Sequence, residues 1–160
     1  MLPMFLALAV AAAPTPDPVP AGEEAVAPYI HVDANAGAAP FTDKSMWTAF
    51  HGEAGLGRLV DAFVARNQAD PRIGDIFKGQ DLVRLRRMLR EQFCYILNGG
   101  CSYSGRSMTA AHRDLGVQEA DMGPLVENLQ AAMRAEGVPF AAQNRFLAKL
   151  APMKRQVVQR

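Results

Sequence analysis

From Ser45 onward, apolar residues recur every three or four positions, the period that gathers side chains on one face of an α-helix. Trp47 and Phe50 open a short helix ended by Gly52. Leu56, Leu59, Val60, Phe63 and Val64 form a stripe on a second helix, which stops at Asp70-Pro71 because proline turns the preceding residue away from helical geometry. Ile73, Ile76 and Phe77 fall in a tight connection closed by Gly79. Leu82, Leu85, Met88, Leu89, Phe93 and Ile96 make the next stripe, ended by Gly99-Gly100. Met108, His112 and Leu115 share one face of a short helix. Met122, Leu125, Val126, Leu129 and Met133 mark a long one ending at Gly137. Pro139 suits the first turn of the last helix, where Phe146, Leu147, Leu150, Met153, Val157 and Val158 face inward and Pro152 imposes a kink. Strand alternation and long internal repeats are absent. The pattern predicts an all-α domain over residues 44–160, built on two long helical hairpins.

The front of the chain differs. Residues 1–13 are an apolar run too short to span a bilayer and ending in small residues, as the core of a secretory signal does. No Lys or Arg precedes it, and Pro14 makes a cut after Ala13 unfavourable, whereas a cut after Ala21 leaves Gly22 first. Residues 1–21 are therefore read as a signal peptide, which implies a periplasmic or secreted protein, or a cytoplasmic one if the segment does not act as a signal. Residues 22–43 continue a Pro/Ala-rich stretch that cannot pack a core and are expected to be an extended linker, either a spacer from a membrane or a tolerated tail.

Composition narrows the chemistry. In 160 residues, 49% are hydrophobic and the net charge is +1, so nothing attracts nucleic acid or anionic lipid in bulk. Cys94 and Cys101 are too few for a zinc ribbon, and neither a C-x-x-C nor an H-E-x-x-H motif is present. In an oxidising compartment the two cysteines can close a loop across Gly99-Gly100; in a reducing one they stay thiols. Gly52, Gly55 and Gly57 follow no strand, which argues against a phosphate loop. His31 and His51 read as solvated residues. His112 stands apart: it lies between the large apolar residues Met108 and Leu115, behind the glycine-broken turn. Such surroundings suit a satisfied core histidine or the axial ligand of a haem iron.

The order and spacing of several landmarks decide between these readings. Gly52-Glu53-Ala54-Gly55, Leu59-Val60-Asp61-Ala62-Phe63, Asp70-Pro71-Arg72-Ile73, Phe77, Gln92-Phe93-Cys94, Gly99 through Arg106, Met108…His112, Gly137-Val138-Pro139 and Leu150-Ala151-Pro152-Met153 together resemble the group 1 truncated haemoglobins. The resemblance covers residues 45–158. It implies a two-over-two helical globin sandwich around a haem b, with His112 as the proximal iron ligand. It further implies a distal wall of Phe63, Val64, Phe77, Leu85, Leu89 and Phe93, with Leu125 deeper. Met108 and Leu115 would flank the proximal side. Arg84, Arg87 and Tyr103 have the chemistry to partner the haem propionates, and the two arginines read equally well as a solvated basic helix face.

The resemblance also implies reversible binding of dioxygen, nitric oxide or carbon monoxide, serving oxygen transport or nitric oxide detoxification. Nitric oxide dioxygenation, served by a reductase that the sequence does not identify, would make the chain an enzyme. Many members of the family carry tyrosine and glutamine where this chain has Val64 and Leu89; here both polar groups are missing. An alternative reading takes Met88 as a sixth ligand, giving a His112–Met88 haem for electron transfer or redox sensing. A third keeps the helices as an apolar-ligand or protein-binding module. The chain is expected to be a monomer or weak homodimer.

Overall fold

The computed structural model describes residues 18–158, so the signal-like run lies outside it. Seven α-helices are found among the described residues: α1 (Ser45–Ala49), α2 (Gly52–Ala69), α3 (Leu82–Ile96), α4 (Met108–His112), α5 (Met122–Ala135), α6 (Phe140–Leu150) and α7 (Lys154–Val157). No strand occurs among these residues. The all-α expectation holds. The long helices pack as α2 against both α3 and α5, and α5 against α6.

Their stripes meet in one core. Leu56, Leu59, Val60 and Val64 of α2 are at most 1% exposed, and Phe146 of α6 meets Phe50 and Phe93 edge-on, with ring centroids 5.0 Å apart in both pairs. Helix ends follow the local chemistry. Asp81 caps α3 by accepting the Arg84 N–H, and Ser107 caps α4 by accepting the Ala110 N–H. Pro152 breaks the last helix into α6, a 3₁₀ turn (Ala151–Met153) and α7. The sequence extends α4 to Leu115, but the helix ends at His112 and Leu115 sits in the following turn. No helix among the described residues is long and apolar enough to cross a membrane.

The linker expectation is overturned. Residues 22–43 have little regular structure beyond a 3₁₀ turn at Asp33–Ala36, yet they lie against the helices as a strap. Ala36 is fully buried. Proline denies this segment a helix, but small residues let its backbone approach closely. A Cβ on Gly37, whose φ is +81°, would fall 2.7 Å from the Met153 sulfur and 3.1 Å from Met108.

Candidate functional site

The distal face is graded along α3. Helical geometry places Leu82, Leu85, Met88, Leu89, Gln92, Phe93 and Ile96 on one side. Its C-terminal half, from Gln92 to Ile96, is buried, whereas Leu82, Leu85, Met88 and Leu89 are only partly covered. Phe77, Leu115 and Leu125 are likewise half-buried. Phe63 and Val64 of α2 are closed off, as is Phe93, and they form the floor rather than the rim. Leu125, expected deep, is half-buried, whereas Leu129, one turn further along α5, is 5% exposed.

Gln92 marks where α3 meets α4. Its amide nitrogen donates to the Ala36 carbonyl at 2.8 Å and lies 3.2 Å from the Met108 sulfur. From that contact Leu89 and Leu85 lie one and two turns back along α3, and His112 lies one turn beyond Met108. Sequence reasoning assigned Gln92 no role. The available signal was a polar residue interrupting an otherwise apolar stripe.

His112 itself is set by local geometry. Its Nδ1 lies 2.7 Å from the Met108 carbonyl oxygen. A carbonyl only accepts, so Nδ1 carries the proton and Nε2 is the basic nitrogen. Burial holds the imidazole pKa below its ordinary value, against the opposing pull of that hydrogen bond, so the ring is neutral at neutral pH. A neutral imidazole oriented through one nitrogen is the state a metal ligand needs. Among the described residues no cluster of three or more His, Cys, Asp or Glu can hold an ion. One histidine on the helix that meets α3 at Gln92 suits a planar macrocycle that supplies its own donors to the metal.

The polar residues expected at the rim are engaged elsewhere. Arg87 clasps the Glu23 carboxylate through two nitrogens at 2.5 and 2.7 Å, and Arg84 reaches the Tyr29 hydroxyl at 2.7 Å. Tyr103 is 4% exposed and donates its hydroxyl to the Arg106 carbonyl; burial, foremost, pushes its pKa up to about 12. These three residues contact the strap and the loop before α4. Cys94 and Cys101 form a disulfide that ties the last turn of α3 to this same loop. His51, read as solvated, pairs with Glu136 at 3.2 Å.

The family model of the bacterial-like globins matches residues 45–159. The chain belongs to the bacterial-like globin family. It is 27% identical over 113 residues to the group 1 truncated hemoglobin GlbN of Mycolicibacterium paratuberculosis, covering 71% of this chain and 83% of that protein. It is also 27% identical over 101 residues to a group 1 truncated hemoglobin of Tetrahymena pyriformis, with 63% and 84% covered. The crystal structure of the Tetrahymena pyriformis truncated hemoglobin superposes with a TM-score of 0.68 at 23% identity, covering 72% of this chain and 98% of that one. The 2/2 hemoglobin of Synechococcus sp. PCC 7002, solved with covalently attached heme, gives 0.67 at 23%, covering 72% and 99%. The globin match begins at Ser45, so the strap lies outside it.

Proposed function

We propose that this globin binds a b-type haem through His112 and uses it to bind diatomic gases reversibly. When present, the haem supplies an iron with a coordination position for dioxygen, nitric oxide or carbon monoxide. The observation that carries the reading is the His112 ring, half-buried, neutral and oriented by the Met108 carbonyl. The remaining residues hold and shape. Leu85, Met88 and Leu89 offer an apolar cover, Phe63 and Val64 close the floor, and together they exclude water. Val64 and Leu89 supply no hydrogen-bond donor, which favours gases that develop little charge and argues against long storage of dioxygen. Gas binding without chemistry is therefore preferred to nitric oxide dioxygenation. The Cys94–Cys101 disulfide supports an oxidising location, periplasmic or extracellular, in keeping with the signal-like segment.

The test is an absorption titration of the purified full chain with haem. Stoichiometric uptake giving a reduced spectrum that shifts with carbon monoxide supports the proposal. A reduced spectrum of six-coordinate type before any gas is added points to Met88 as a second ligand. Failure to take up haem overturns the proposal.

A further inference from the structure

We propose that the N-terminal strap is a cofactor-retaining clamp latched by Glu23, an inference that rests on the haem-binding reading. The strap touches both sides of the site. On α3, Glu23 binds Arg87 at 2.5 and 2.7 Å and Arg84 at 3.5 Å, the Glu24 N–H donates to Asp81, and the Ala36 carbonyl accepts from Gln92. On the loop leading to α4, the Tyr29 hydroxyl donates to the Ser104 carbonyl at 2.8 Å. Asp33 accepts the Tyr103 N–H at 2.8 Å, and Asn35 donates to the Gly105 carbonyl at 3.1 Å. The strap is therefore a bridge between the distal helix and the segment that delivers His112.

A flat ligand held between α3 and α4 leaves when those elements separate. Separation here requires breaking the strap contacts, and Glu23 is the strongest of them. Its side chain is 1% exposed although it carries a charge, and it is held by a two-pronged guanidinium pairing. Without Glu23 the strap loses its pairing with both arginines, while Arg87 keeps Glu91 at 2.9 Å and Ser104 at 3.0 Å; without Arg87, Glu23 keeps only Arg84 at 3.5 Å. A signal cut after Ala21 would leave Glu23 in the chain. The opposite arrangement is also definable: Glu23 could occupy two arginines that would otherwise bind the haem carboxylates, and then it would hinder haem binding.

Haem transfer from the reconstituted full chain to excess apomyoglobin separates the two by sign. Glu23→Gln and Arg87→Gln should each speed haem loss about ten-fold, with the ferrous–CO spectrum unchanged. The double variant should lose haem more slowly than the product of the two single effects predicts, because the Glu23–Arg87 pair is broken in both. Unchanged or slower loss in Glu23→Gln overturns the clamp, slower loss marking competition. Thermolysin digestion of the haem-free chain gives an independent reading: cleavage within residues 26–32 should be faster in Glu23→Gln, and equal rates overturn the latch. A chain that takes up no haem overturns the haem-binding reading and the clamp with it, and the digestion then shows whether Glu23 anchors the strap all the same.

Discussion

On the proposed gas-binding reading, Val64 and Leu89 decide what the site can hold. Val64 is fully buried and Leu89 half-buried, and neither brings a proton to a bound gas. A hydrogen bond to a partly charged ligand is worth about 1.5–3 kcal/mol. Restoring donors with Val64→Tyr and Leu89→Gln should therefore slow dioxygen release roughly ten- to a hundred-fold. Carbon monoxide release should change far less, because that ligand carries less charge. Stopped-flow replacement of each gas measures both. A tyrosine ring at a site with no free space should also cost about 1–3 kcal/mol of stability. If dioxygen already leaves slowly from the unaltered protein, some other donor serves it, and the aliphatic-wall account fails.

At the scale of elements, the turn between α3 and α4 is pinned from two directions. The Cys94–Cys101 disulfide closes a loop of about eight residues, which should contribute roughly 2–3 kcal/mol by restricting the unfolded chain. The Cys94→Ala/Cys101→Ala pair should lower stability by that amount in urea unfolding, with an m-value equal or slightly larger because the freed chain unfolds to a more exposed state. No change would mean that Gly99, packed where a Cβ would lie 2.6 Å from the Cys94 sulfur and 2.8 Å from Trp47, already fixes the turn unaided. These elements also show what the sequence could tell. Stripe spacing placed α2, α3, α5 and α6 because a helix buried on one face must repeat its apolar residues. His112 was legible for the same reason, standing one turn from Met108. The strap was not. Its contacts are single side chains such as Glu23, Tyr29 and Asn35, each meeting a partner about 55 residues or more away, and no periodicity records such pairings. Gln92 escaped likewise, since its partner Ala36 lies on that strap.

For the whole molecule, the globin body and the strap form one closed frame. The helical sandwich supplies the floor, α3 and α4 the two sides, and the strap joins those sides across Gln92 and Ser104. Everything rests on His112 holding the iron. The most direct measurement is the ferrous–CO spectrum of haem-loaded His112→Gly after gel filtration, with and without added imidazole. The account predicts that the variant loses its haem on the column and recovers a spectrum close to that of the unaltered protein only when imidazole is present. A His112→Gly protein that keeps its haem and the original ferrous–CO spectrum with no imidazole would contradict it.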